Sequence, residues 1–206
     1  MFDENLDLIG KIDGLAKNEK VYSVRFSGDT AYFVTFRTVD PLFTVDLSDP
    51  ANPVILSELK IPGFSNYLHP YSDGLLFGLG QDADERTGWT RGMKLSMFDV
   101  SDPHAVSEKH CLKLDSYSSE ALYNHKAILV SAEKDLIGFP TETGYVIYGY
   151  DTEKGFYKKA ETALEKLWAS HDIRGLYSGD YVYIVTQDFT AVMRMADLEL
   201  LTTVGY

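Results

Sequence analysis

Cysteine is almost absent from this chain. Cys111 stands alone among 206 residues, so no disulfide can form within the chain, and no second thiolate exists to build a closed metal site. A single cysteine in apolar surroundings reads as a small buried hydrophobe. Long apolar runs are also missing: no stretch approaches the ~18 residues that a membrane-crossing helix requires. Positive charge is scarce, with 19 Lys and Arg against 31 Asp and Glu and a formal net charge of -12. A surface that acidic repels phosphate backbones and anionic lipid headgroups, so neither nucleic-acid binding nor membrane insertion is expected. The opening Met1-Phe2-Asp3-Glu4 lacks the basic-then-apolar order of an export signal. The chain has no Gly-x-Ser-x-Gly elbow and no glycine-rich phosphate loop ahead of a helix. No catalytic residue is therefore assigned.

Aromatic residues are plentiful: 14 Tyr, 11 Phe and 2 Trp. They lie in short alternating or β-branched runs separated by turn residues, which is the signature of strands. The stretch from Val21 to Gly63 sets the pattern. Tyr22–Phe26, Ala31–Phe36, Leu42–Leu47 and Val54–Ile61 read as four strands, broken by Ser27-Gly28-Asp29, by a segment around Pro41, and by Ser48-Asp49-Pro50. The pattern returns three times. Asp29, Asp73, Asp135 and Asp180 mark the first turns, and Asp46, Asp99, Asp151 and Asp197 mark the ends of third strands. The repeated Ser-Asp-Pro is a turn device, because Asp bonds its own backbone and Pro fixes φ.

A period of this size, with four strands per unit, predicts an all-β chain built as a segment of a β-propeller. The expected blades cover residues 21–63, 64–114, 115–163 and 172–206. Asn5–Gly14 is expected to be an outer strand left from a preceding blade. Ala160–Ser170 (AETALEKLWAS) is expected to hold a helical turn or short helix. Gln81–Gly92 reads as a long polar loop.

The phrases VYSVRFSGDTAYFVTFRTVDPLFTVDLSDPANP, ELKIPGFSNYLHPYSDGLLFGLGQD, KLSMFDVSDP and SSEALYNHKAIL resemble a bacterial and archaeal family of secreted proteins with a C-terminal β-propeller domain. That family is distantly related to the tryptophan–aspartate repeat propellers. The resemblance covers nearly the whole chain and is most pronounced from Lys20 to Lys126. It implies an extracellular or cell-envelope location and implies no catalytic residue. Members of the family are longer and carry export signals, so this chain is expected to be a piece of about four blades. An open set of blades exposes apolar edges, which predicts homodimerisation.

Loops carry function more often than strands. Those joining second to third strands supply Arg37, Asp40, Gln81, Asp82, Gln187 and Asp188. Those joining successive blades supply Asn124, His125 and His171, and Trp89 lies on the longest loop. These are the expected binding residues for a protein or glycan partner. Asp82, Asp84 and Glu85 offer alternating carboxylates of the kind that hold Ca²⁺; otherwise no cofactor is expected. The favoured function is a non-enzymatic binding or scaffold module of an exported protein. Two alternatives stand beside it: a hydrolase or lyase using Asp, Glu and His at the propeller axis, and a calcium-stabilised structural module.

Overall fold

The computed structural model describes residues 1–13, 20–36, 40–164 and 172–206. It is all-β, with sixteen strands among the described residues forming four separate four-stranded antiparallel sheets. Sheet one contains β1 (Lys20–Ser27), β2 (Thr30–Phe36), β3 (Asp40–Asp46) and β4 (Val54–Ile61). Sheet two contains β5 (Phe64–Ser72), β6 (Leu75–Ala83), β7 (Thr90–Asp99) and β8 (Ser107–Lys113). Sheet three contains β9 (Leu129–Ser131), β10 (Leu136–Pro140), β11 (Tyr145–Asp151) and β12 (Gly155–Thr162). Sheet four contains β13 (Arg174–Ser178), β14 (Tyr181–Val185), β15 (Phe189–Arg194) and β16 (Leu200–Gly205). Strand order follows chain order in every sheet. Each sheet is therefore a simple meander, the blade unit that the repeat predicted.

The turns show why the meander recurs. Gly28, Gly74 and Gly179 sit at the first turns with φ of 58°, 70° and 54°, a region that glycine enters without the penalty a Cβ brings. The third sheet uses Asp135 there instead, at φ 52°, and Asp135 Oδ1 accepts from the Tyr150 amide at 2.8 Å. The turns between third and fourth strands are closed by aspartate. Asp46, Asp99, Asp151 and Asp197 each accept a backbone N–H two residues on, at 2.8–3.1 Å. The backbone donors hold the Asp46 and Asp197 carboxyls below the ordinary range; at Asp99 the Ser101 hydroxyl does so first, aided by the Ser101 amide. Fourth strands also share a defect. Leu56, Lys159 and Leu201 are each an extra residue at a register shift, a β-bulge that twists an outer edge.

The chain divides into two compact units, Met1–His110 and Cys111–Tyr206, with β8 running across the division. In the first unit the core joins Tyr32, Val34 and Leu42 of sheet one to Phe64, Leu68, Leu76 and Phe98 of sheet two. Tyr22 and Phe64 meet at 4.5 Å between ring centroids, and the buried Ser23 hydroxyl donates to Ser65 O at 2.7 Å. Each large apolar side chain buried this way contributes about 1.5–3 kcal/mol. Lys94, 1% exposed, donates to Pro62 O at 2.6 Å and to Glu108 at 3.5 Å. In the second unit Leu129, Leu136, Tyr145 and Ile147 pack with Ile173, Val182, Ile184 and Met193. Tyr145 crosses Gly138 of β10 and reaches Gly175 of β13, where a Cβ at either glycine would run into its ring or hydroxyl.

Three expectations need correction. Asn5–Asp13 forms no strand: Met1–Gly10 doubles back on itself, with a single bridge from Phe2 to Leu8 and the Met1 ammonium donating to Gly10 O at 2.6 Å. The reason is local, since Asp3 Oδ1 gathers the Asn5 and Asp7 amides at 2.9 Å and turns the chain. Gln81–Gly92 is not a long loop. The ladder continues through Gln81↔Met93, Asp82↔Gly92 and Ala83↔Thr90, because backbone pairing overrides the polar composition, and only 84–89 remain outside strands. Cys111 is exposed on β8, not buried, since the outer strand buries alternate positions only partly. Of the expected helix, Ala160–Thr162 ends β12, while 165–171 lie outside the described residues, as does Gly14.

The Tyr145 hydroxyl is fully buried and has no partner among the described residues, and desolvation pushes its pKa up. Tyr145→Phe is expected to raise the unfolding free energy by about 1 kcal/mol. Gly175→Ala, which forces the phenol from its slot, should lower it by about 1–3 kcal/mol. Denaturant unfolding of the two variants checks both signs.

Candidate functional site

The second unit brings three connecting segments together at one polar cluster. The connection between β8 and β9 carries two short 3₁₀ helices, Glu120–Leu122 and His125–Ala127. Ser119 caps the first by accepting from the Ala121 amide at 3.1 Å, and Asn124 caps the second by accepting from the Lys126 amide at 3.3 Å. Short polar side chains at these positions satisfy donors that a helix start leaves unpaired. The caps fix Glu120 and Asn124 side by side, and the Asn124 amide donates to Glu120 Oε1.

Glu120 is the centre of the cluster. Its side chain is only 7% exposed and lies 3.8 Å from the Arg174 guanidinium. Its second oxygen accepts from the Ile173 amide at 3.2 Å. Arg174 in turn donates to Ile173 O at 2.8 Å and to Asp172 Oδ1 at 3.4 Å. Gln187 donates to the other Asp172 oxygen at 3.0 Å. Asp172 adopts φ 56°, a strained setting for a residue with a Cβ, and such strain gathers at binding sites. The chain Asn124–Glu120–Arg174–Asp172–Gln187 therefore ties the β8–β9 connection to the start of β13 and to the β14–β15 turn. The arrangement holds loops rigid and presents amide and guanidinium edges. Tyr123, 75% exposed, stands beside it.

The structure places the sequence-predicted residues unevenly. Asn124 and Gln187 belong to this cluster, with His125 next to Asn124 and Asp188 next to Gln187. Arg37 and His171 lie outside the described residues, and of Asp40 only its place at the start of β3 is described. Gln81 and Asp82 belong to β6 rather than to a loop, and Asp82 is 5% exposed. Trp89 is 78% exposed on the 84–89 connection. Asp84 accepts from the Thr87 amide and hydroxyl, both at 2.9 Å, and pairs with the Arg91 guanidinium. The Thr87 bonds hold its carboxyl below the ordinary range. Among the described residues, no three His, Cys, Asp or Glu side chains are grouped to hold a metal ion. Reading loops as independent pieces missed Glu120, Asp172 and Arg174. The one local signal was the pair of capping residues, Ser119 and Asn124, five positions apart.

Glu120→Ala is expected to lower the unfolding free energy by about 1–3 kcal/mol, because it leaves buried donors without their acceptor. It should also speed amide exchange at Ile173. Exchange at Ile173 as slow as in the parent chain would remove Glu120 from this role.

The comparisons with known proteins come down on one fold. The family model described as Beta propeller domain matches residues 1–198. An uncharacterised protein of Archaeoglobus fulgidus is 38% identical over 185 residues, 90% of this chain. The uncharacterised protein MJ1554 of Methanocaldococcus jannaschii is 34% identical over 183 residues, 89% of this chain. The chain spans 28% of the length of each of these relatives. Among solved structures, apo AztD from Citrobacter koseri superposes with TM-score 0.56 at 14% identity, covering 90% of this chain and 46% of that one. The β-propeller domain of Cps50 (Swd1) from Myceliophteria thermophila superposes with TM-score 0.56 at 10% identity, covering 92% and 61%. At such identities the likeness is one of fold.

Proposed function

This chain belongs to the Beta propeller domain family, and on that premise we propose that it is a non-enzymatic binding module that presents the loop cluster of its second unit to a protein partner. The observation that carries the reading is the Glu120 network. Three separate connections are pinned into one fixed polar surface by a nearly buried carboxylate. Pre-ordered loops of this kind lower the entropic cost of association. Exposed tyrosine at 123, with Tyr117 on the same connection, supplies the amphipathic anchors that dominate interface energetics. The carboxylates at the centre are occupied by structural donors, which favours recognition over proton transfer.

Peptide and glycan arrays probed with the chain, alongside a general hydrolase panel, test this reading. The expected result is peptide binding that falls at least tenfold in Tyr123→Ala, with no turnover. Binding confined to glycans would move the partner to another class, and turnover abolished by His125→Ala would replace the binding role by catalysis.

Self-association is a second part of the proposal. Val24 and Phe26 of β1 and Leu176 and Tyr177 of β13 are exposed on strands whose neighbours are packed, and apolar surface gathered on sheets favours pairing. Light scattering at tens of micromolar is expected to give the mass of two chains; a monomer would contradict it.

A further inference from the structure

The first unit holds a cavity of about 520 Å³ at the first-turn ends of sheets one and two, lined by Ser27 and Thr30 of the β1–β2 hairpin and by Ser72, Asp73 and Gly74 of the β5–β6 hairpin. It lies in the unit that does not contain the Glu120 cluster. Its polar side chains are open to solvent, with Ser27, Ser72 and Asp73 exposed. Among the described residues, the hydroxyls of Ser27, Thr30 and Ser72 and the Asp73 carboxylate have no hydrogen-bond partner, although they ring one opening. Tyr32 also lines it. That residue is 6% exposed, its hydroxyl makes no hydrogen bond among the described residues, and burial raises its pKa. Leu75, Leu76 and Val100 give the same cavity an apolar side.

We propose that this cavity binds a neutral sugar. The volume falls within the range of about 300–1,000 Å³ typical of small-molecule sites. No Lys, Arg or His lines it, and with a carboxylate at the rim an anionic ligand meets repulsion and no counter-charge. A purely apolar ligand would strand the Tyr32 hydroxyl, the three aliphatic hydroxyls and Asp73 without water or partner. A polyhydroxylated ring answers both faces. Its hydroxyls donate to Asp73 and both donate to and accept from the serine, threonine and tyrosine hydroxyls, while its C–H surface covers Val100. The inference rests on no part of the protein-binding reading, which concerns other residues in the other unit.

Saturation-transfer NMR with D-glucose, D-mannose and N-acetyl-D-glucosamine at millimolar concentration, and with choline and glucose 6-sulfate as charged comparisons, tests it. At least one neutral sugar should receive saturation from the protein, and neither charged probe should. Tyr32→Phe and Asp73→Asn should each weaken that signal at least fivefold while leaving the melting temperature within a degree or two of the parent. Silence from all three sugars overturns the proposal. So does preference for choline, which would make the cavity a cation site, or sugar binding that survives both substitutions, which would place it elsewhere on the chain.

Discussion

A four-stranded meander has two broad faces and can cover neither with its own residues. That constraint governs how the chain is packed. Sheet one meets sheet two through Tyr32, Leu42, Phe64 and Leu76, and sheet three meets sheet four through Leu129, Tyr145, Ile173 and Ile184. The apolar faces stabilise only when a neighbour is present, because a twisted two-sided sheet in water keeps its hydrophobic area hydrated. Stability is therefore held in pairs of sheets, and the exposed apolar residues of β1 and β13 mark faces still open to a neighbour.

The packing dictates unusual side-chain choices. Tyr145 reaches across two glycines to touch the next sheet, and those glycines are required by the ring that lies over them. Lys94 sits in the interior with its ammonium on a backbone carbonyl and a glutamate. Both residues place polar atoms where a plain aliphatic core would have none. A buried charge is tolerated only when its geometry is complete, and the Lys94–Glu108–Ser96 set meets that condition. The Glu120 network does the same service for loops, replacing apolar packing with hydrogen bonds where segments without regular pairing must be held still.

How much of this was legible in the sequence follows from the range of the forces involved. The four-sheet plan was readable because alternation of side chains, glycine at first turns and aspartate at the turns between third and fourth strands act within a few residues. Asp46, Asp99 and Asp151 announce their turns by bonding amides two positions away. The same local rule defeated the reading at the N-terminus, where Asp3 makes a turn inside a stretch that resembles an outer strand. At Gln81–Ala83 the opposite happened. Polar residues suggested a loop, but cross-strand pairing with Met93 and Gly92 kept them in the ladder, and Asp82 became buried rather than available.

By itself the sequence determined the all-β class, the repeat of four strands and the positions of the hairpins, since each is set by contacts between near neighbours. Only the tertiary structure decided that Glu120, Arg174 and Gln187, up to 67 residues apart in the chain, share one hydrogen-bonded cluster, and that Tyr32 and Asp73 line one cavity. Those groupings depend on how one sheet is rotated against the next, a quantity that no short-range pattern encodes.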